Sequence, residues 1–176
     1  MQLDNHDANL STFCNISGLC QEEQRALTEV FLLIEADLPQ LTDEFYRQLL
    51  GDAQTAPYLE GRIEALKQTH LTWIRDLVGG VHDAAFISRQ EKIGEVHVTM
   101  RIPPHFVASS MSHLRAAMPL LIQRKVDDSA KAGQATKALL QLLDLCHYLI
   151  DRKYSETLMN NLGISPALLN RLQTLK

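Results

Sequence analysis

The chain lacks long apolar runs and an excess of positive charge, and each absence excludes a class of protein. Its 17 Lys and Arg against 21 Asp and Glu give a net charge of -4 without a basic cluster, so no nucleic acid partner is expected. The longest apolar run, Ala116–Ile122, has seven residues and includes a proline. A bilayer requires roughly 20. Because Met1–Leu10 also has no apolar core of a signal peptide, we expect a cytoplasmic protein with no membrane segment.

Cysteine is also scarce. Cys14, Cys20 and Cys146 are an odd number without a CxxC pair, which favours reduced thiols over a disulfide framework or a zinc site. HExxH, G-x-S-x-G and glycine-rich phosphate loops are absent too, so the sequence gives no support for catalysis by this chain itself. The hydrophobic fraction of 45% is ordinary for a globular domain and predicts a real core.

The spacing of apolar residues predicts helices throughout and no strands, which makes the fold class all-α. From Leu27 the apolar residues recur every three or four positions, as only a helix allows, and Pro39 is expected to divide this run in two. Four more helices are predicted: Ile63 to Leu77 before Gly79-Gly80, Asp83 to Pro103, 107–121 with a kink at Pro119, and 135–158 before Gly163.

One histidine lies in a setting that suits a metal ligand. His97 shares a predicted buried stripe with Phe86, Ile93, Val96 and Met100. A neutral imidazole is a common metal ligand, and one on an apolar helix face suits a flat cofactor such as haem. A core histidine whose ring nitrogens find backbone partners is the alternative that periodicity alone favours.

The last residues predict a further helix. Ser165 is a suitable N-cap, Pro166 suits the first helical position, and leucines recur at 168, 169, 172 and 175. We interpret residues 163–176 as the start of a linker helix towards a missing output domain. A terminal helix that docks on its own core is the alternative.

Three sequence blocks occur in a characteristic order: Phe45-Tyr46-Arg47, then a helix with Leu66-Lys67 and Trp73, then Ile93-Gly94-Glu95-Val96-His97 followed by Ile102-Pro103. Over about residues 20 to 155 this order resembles the sensor globin domain of the globin-coupled sensors. The resemblance implies a globin-like helical sandwich with an extra N-terminal helix. Residues 1–162 would then be the sensor globin domain, with 1–19 as its N-terminal extension.

The resemblance also implies roles for individual residues. His97 takes the position of the proximal haem ligand, Tyr46 that of the distal hydrogen-bond donor to a bound gas, and Leu66 that of the distal apolar residue. The cofactor would be haem b, in a five-coordinate ferrous state that leaves one face open to oxygen or another diatomic gas. The residues expected to contact the haem are Phe45, His70, Trp73, Phe86, Ile93 and Met100.

Two positions depart from the family pattern. Arg101 stands where the family often has glycine, and His105 or Phe106 where it has tryptophan or tyrosine. In this family gas binding regulates a C-terminal output such as a diguanylate cyclase or a chemotaxis transducer. The alternative function is a cofactor-free helical module for signalling or dimerisation, such as a phosphotransfer domain. The colour of the purified protein distinguishes the two.

A homodimer is expected through the last two long helices. The stripes 107–121 and 135–158 carry more apolar residues than one small core requires, and Ala135 and Ala138 would permit close approach of a second chain. On this interpretation Leu142→Asp gives a monomer that still binds haem. No ligand role is assigned to the histidines predicted at the surface or its boundary: His6, His82, His105, His113 and His147.

Overall fold

The computed structural model describes residues 7–19 and 21–174, and within these ranges the backbone forms helices, turns and loops without a β-strand. The all-α prediction is therefore confirmed. The helices are α1 (Ala8–Ser17), α2 (Gln21–Ile34), α3 (Leu38–Gly51), α4 (Ile63–Gly79), α5 (Ala84–Thr99), α6 (Pro104–Lys125), α7 (Ser129–Leu162) and α8 (Pro166–Thr174).

Several helix ends follow from capping residues in the sequence. The Asp83 carboxylate accepts a hydrogen bond from the Phe86 amide at 3.0 Å and so caps α5. Gly163 adopts the left-handed conformation, with φ of 64°, and ends α7 as predicted. Asp128 caps the start of α7, so this helix begins six residues before the predicted position 135.

The prolines act according to their place in a helix. A 3-10 turn, Glu35–Asp37, separates α2 from α3, and Pro39 lies in the first turn of α3. That turn has no intrahelical acceptor for its N–H groups, so a residue without an N–H is tolerated there. Pro119, in contrast, lies inside α6, which continues through it to Lys125.

Helix α7 lies at the centre of the fold, because it packs against α1, α2, α5 and α6. The side chain of Leu142 is 0% exposed, and Ala135 and Ala138 are equally buried. The prediction that this stripe forms a dimer interface is therefore wrong. Periodicity reports that a face is apolar, but the residues that cover it here belong to the same chain.

An additional helix, α1, covers part of α7. Leu10 and Cys14 are the buried residues of α1. Its Phe13 ring stacks on Tyr148 with a centroid distance of 5.2 Å. Cys14 and Cys146 are free and buried. Cys20, His6 and the first six residues of the predicted N-terminal extension lie outside the described residues.

Helix α5 is rotated relative to the predicted stripe. Its buried residues are Phe86, Ile87, Gln90 and Gly94, whereas Val96 and Met100 are 49% and 40% exposed. The prediction that these two are buried is wrong, because the close contact of α5 with α7 is made on the Gly94 side of the helix.

His82 was expected at the surface but is buried in the turn between α4 and α5. Its Nε2–H donates to the Leu77 carbonyl at 2.8 Å, so the imidazole satisfies an acceptor near the end of α4.

In the described part of the chain, no helix is both long enough and apolar enough to cross a bilayer.

Candidate functional site

His97 lies in the last turn of α5, and one ring nitrogen makes a backbone hydrogen bond. Its Nδ1 is 2.8 Å from the Ile93 carbonyl oxygen. Because a carbonyl can only accept, Nδ1 carries the proton, and in the neutral ring Nε2 then keeps its lone pair. No described residue forms a hydrogen bond with Nε2. The backbone bond therefore prepares the imidazole to bind a metal through Nε2.

The protonation state of His97 agrees with that role. Burial lowers the pKa of His97 below its ordinary value, and this effect exceeds the opposite influence of the hydrogen bond to Ile93. The ring is consequently neutral at pH 7, and only the neutral ring offers a lone pair to a metal.

Tyr46 is buried on α3 and engages the main chain of α4. Its hydroxyl donates to the Leu66 carbonyl at 3.0 Å. Burial raises the pKa of Tyr46 to about 12, so the hydroxyl remains a protonated donor at neutral pH. Leu66 packs against the small apolar cluster of Phe45, Tyr46 and Leu59, which is separate from the main core. The structure thus brings the two predicted distal residues, Tyr46 and Leu66, into direct contact.

An aromatic group surrounds Tyr46. The Phe45 ring stacks on His70 with centroids 4.6 Å apart, and Tyr46 meets the edge of His70 at 5.6 Å. His70 Nδ1 lies 3.2 Å from Thr42 Oγ1, while its Nε2 is buried without a hydrogen-bond partner in the described part of the chain. Burial, with a smaller contribution from His113, lowers the pKa of His70 to about 4. His70 is therefore a neutral ring held between α3 and α4.

Helices α4 and α5 are joined by two side-chain contacts near their connecting turn. Trp73 Nε1 donates to Gln90 Oε1 at 2.9 Å, and the Arg89 guanidinium forms a two-pronged pair with Asp76. Leu66 precedes Trp73 by seven residues, and His97 follows Gln90 by seven. Seven helical residues rise about 10.5 Å. Leu66 and His97 are therefore each about two helical turns from the partly buried Trp73–Gln90 contact.

The other predicted haem contacts are more dispersed. Phe86 is fully buried in the main core, where its ring meets His82 edge-on at 4.7 Å. Ile93 packs on the same core, and Met100 is exposed at the end of α5. None of these three belongs to the small cluster around Tyr46, and their contact with haem stays a prediction.

Gln90 and Thr42 were missed by the sequence analysis. Gln90 is 0% exposed, and its Nε2 has no hydrogen-bond partner among the described residues. The signal was present, because Gln90 falls between Phe86 and Ile93 at helical spacing on α5. A polar residue at such a position indicates a specific buried partner, which here is Trp73.

A groove of about 310 Å³ opens on the outer side of the Tyr46 cluster. It lies between the end of α3 and the start of α6, and Phe45 and His113 form part of its wall. Phe45 therefore both lines this groove and stacks on His70.

The residues present fit the haem implied by the sequence. The neutral imidazole of His97, whose Nε2 makes no hydrogen bond with a described residue, fits the requirement for a haem-iron ligand. The protonated Tyr46 hydroxyl is a suitable donor for a bound gas, and the apolar side chains around it provide a water-poor environment.

Comparisons with known proteins agree with this arrangement. The Protoglobin family model matches residues 6–160. The globin domain of a Geobacter sulfurreducens globin-coupled sensor superposes with a TM-score of 0.76 and 29% identity, over 82% of this chain and 96% of that one. The ferric form of the globin domain of E. coli DosC gives 0.69 and 18%, over 83% and 99%. Its ferrous form gives 0.69 and 19%, over 81% and 97%.

The DosC matches support the fold, and the Geobacter domain extends the likeness to the sequence. Together with the family match over most of the chain, they confirm the globin-like fold and the resemblance drawn from the Tyr46, Trp73 and His97 blocks. The chain belongs to the protoglobin family, and its fold and sequence are similar to those of the globin domain of a globin-coupled sensor.

Proposed function

We propose that this domain binds haem b through His97 Nε2 and senses oxygen or another diatomic gas. The observation that carries the proposal is the hydrogen bond from His97 Nδ1 to the Ile93 carbonyl, which directs the lone pair to Nε2. His97 would hold the haem, and its ferrous iron would supply the coordination chemistry for a diatomic gas.

Tyr46 supplies the distal hydrogen bond. To donate to a gas, its hydroxyl must leave the Leu66 carbonyl, because a phenol has one proton to donate. The Leu66 carbonyl belongs to α4 and can accept from within that helix as well. Gas binding therefore replaces the hydrogen bond from Tyr46 to the Leu66 carbonyl with one from Tyr46 to the gas. The free-energy difference between these two hydrogen bonds depends on the charge on the gas.

This exchange favours oxygen over carbon monoxide. An oxygen ligand in this pocket would carry partial negative charge, and the Tyr46 phenol would then donate a charge-assisted hydrogen bond of about 1 to 3 kcal/mol to it. The outer atom of carbon monoxide carries less charge and competes poorly with a neutral carbonyl acceptor. We therefore assign the distal pocket to oxygen as the preferred gas.

The signal leaves through the C-terminal helices. Helix α7 contacts α5, which carries His97, and extends to Leu162. Beyond it, α8 begins at Pro166, where Ser165 Oγ accepts from the Leu168 amide at 3.3 Å. Leu168 and Leu172 are exposed on α8, as expected of a helix that continues towards an output domain. We assign residues 1–162 to the sensor and 163–176 to this linker.

We also propose a homodimer through the outward faces of α6 and α7. The buried stripe around Leu142 cannot supply this interface. Leu120 on α6 and Leu158 and Leu162 on α7 are more than half exposed and offer apolar surface for a second copy.

Haem reconstitution tests the proposal directly. The purified chain is titrated with hemin, reduced and exposed to carbon monoxide, with the Soret band as the measurement. We expect stoichiometric binding and a shift of the band with carbon monoxide. A protein that remains colourless after hemin addition would instead support the cofactor-free module.

The ligand is identified with two variants. His97→Ala is expected to lose stoichiometric haem, whereas the matched variant His105→Ala, at an exposed position, retains it. Circular dichroism is the check that both variants fold. Full haem with an unchanged spectrum in His97→Ala would contradict the ligand assignment.

A further inference from the structure

Arg152 on α7 joins two parts of the molecule that are distant in sequence. Its guanidinium forms ion pairs with Glu91 on α5 and with Asp7 at the start of α1. The Arg152 side chain is only 19% exposed, and it also lies over the Tyr148 ring at 5.8 Å. A shielded, multiply engaged guanidinium orients its partners more strictly than a surface pair does.

The carboxylate of Asp7 has two separate tasks. Its Oδ1 caps α1 by accepting from the Leu10 amide at 3.0 Å, while Oδ2 pairs with Arg152. Burial tends to raise the pKa of Asp7, but the Leu10 amide and Arg152 outweigh this effect and lower it. Asp7 is therefore ionised at neutral pH and ties the start of α1 to α7.

Two further contacts fix α5 and its end against α7. A Cβ at Gly94 would lie 2.8 Å from the Ile150 carbonyl oxygen, so the two backbones are in close contact. The Tyr154 hydroxyl donates to the Ile102 carbonyl at 2.8 Å. Glu91, Gly94 and Ile102 thus anchor α7 to the segment that contains His97, on both sides of that residue in the sequence.

We propose that Arg152 is a positioning residue, which links α1 to α5 and thereby sets the orientation of His97 towards the haem. This inference rests on the proposed function, because it concerns the residue assigned as the haem ligand. The Phe13–Tyr148 stack and the hydrogen bond from Gln141 to the Ser17 carbonyl also join α1 to α7. Arg152 differs from them because its guanidinium pairs directly with a residue of α5 as well as with the start of α1. A displacement of the N-terminal helix would therefore be transmitted to α5, and so to His97, through this guanidinium.

The test is Arg152→Gln, which removes the charge and keeps a shorter polar side chain. Resonance Raman spectroscopy of the ferrous haem-loaded chain measures the iron–histidine stretching band, which depends on the orientation of the imidazole. Hydrogen exchange of the full chain, with and without haem, measures the order of α1 and α5. We expect a shifted, broader band and roughly tenfold faster exchange in both helices, as loss of about 1.4 kcal/mol of local stability gives.

Arg115→Gln is the matched control. Arg115 on α6 pairs with Asp144 on α7 and makes no contact with α1 or α5 among the described residues. The same chemical change at this position should leave the iron–histidine band unchanged. Arg152→Lys keeps the charge but lacks the planar fork that serves two carboxylates, and should shift the band in the same direction by a smaller amount.

A charge exchange separates positioning from general stability. Glu91→Arg combined with Arg152→Glu restores the pair between α5 and α7, while Asp7 then faces a carboxylate. We expect the band to return towards its wild-type position, with α1 still exchanging quickly.

If Arg152→Gln leaves the iron–histidine band unchanged while amide exchange in α1 and α5 becomes faster, the positioning role of Arg152 is overturned and the proposed haem binding is not. A band that the charge exchange fails to restore does the same. If the wild-type chain binds no haem, the proposed function fails and this inference fails with it. Should Arg152→Gln not fold, Arg152→Lys decides on the same criteria.

Discussion

The Tyr46 hydroxyl donates a hydrogen bond of 3.0 Å to the main-chain carbonyl of Leu66. The two residues proposed for the distal pocket are therefore coupled through the backbone of α4. Any gas that recruits the Tyr46 hydroxyl must compete with this carbonyl, so its effective affinity reflects the difference between two hydrogen bonds and not the full strength of one.

Tyr46→Phe removes the donor and leaves the ring. In the haem-loaded domain we expect oxygen to dissociate about ten- to a hundredfold faster. The dissociation rate depends on the full strength of the hydrogen bond to the gas, because this bond must break before Tyr46 can return to the Leu66 carbonyl. Carbon monoxide should respond much less. Stopped-flow or flash photolysis measures both rates, and equal effects on the two gases would indicate a steric change instead of a lost donor.

Leu142→Asp places a carboxylate in the core. Leu142 is fully buried in the main core of its own chain. We therefore expect the variant to lose about 3 to 5 kcal/mol of unfolding free energy or to fail to fold. Urea denaturation measures the change. A stable, haem-binding Leu142→Asp monomer would contradict the burial described above.

Leu158→Asp is the matched surface variant for the dimer. Leu158 is 51% exposed, so we expect its unfolding free energy to change by less than about 0.5 kcal/mol per subunit. If α7 contributes its outward face to a dimer, this charge weakens the association. Sedimentation velocity measures the effect, and a dimer of unchanged stability would exclude Leu158 from the interface.

Gly94→Ala tests the close contact between α5 and α7. The Lys153 side chain could move away from the added Cβ, but the Ile150 backbone cannot without displacing α7. We expect a loss of about 1 to 3 kcal/mol, typical of overpacking. Gly133→Ala on α7 meets no atom within 4 Å and should instead be neutral or stabilising by up to about 1 kcal/mol. Thermal or urea unfolding compares the two, and equal effects would contradict the contact.

We expect the contribution of His70 to the unfolding free energy to depend on pH. Its folded pKa is lowered to about 4 from the ordinary 6.5, so the unfolded chain binds the proton more readily between these values. The stabilising effect is complete above pH 6.5 and is lost as the pH falls towards 4, by about 3 kcal/mol. The unfolding free energy of His70→Leu should therefore decline less between pH 7 and pH 4 than that of the wild type.

The exposed His105 provides the comparison for this experiment. His105→Ala should retain the pH dependence of the wild-type chain. If His70→Leu and His105→Ala show the same decline in stability on acidification, His70 is not the group responsible.

Local sequence was sufficient for most helix boundaries. Asp83, Gly163 and Ser165 act through hydrogen bonds or backbone conformations within a few residues, so their effects can be read without knowledge of the rest of the fold. The motif order around Tyr46, Trp73 and His97 also identified the family, which the Protoglobin match confirms.

The tertiary structure decided what each apolar or polar face meets. Leu142 could have faced a second chain, and only the packing of four helices around α7 assigns it to the core. Val96 and Met100 have apolar spacing but lie exposed, since Gly94 turns the opposite side of α5 to α7. Helical periodicity fixes which residues share a face, whereas the neighbour of that face depends on contacts between residues far apart in sequence. For the same reason, the sequence supplied Tyr46 and Arg152 as residue types, and the fold alone supplied the Leu66 carbonyl and the paired carboxylates as their partners.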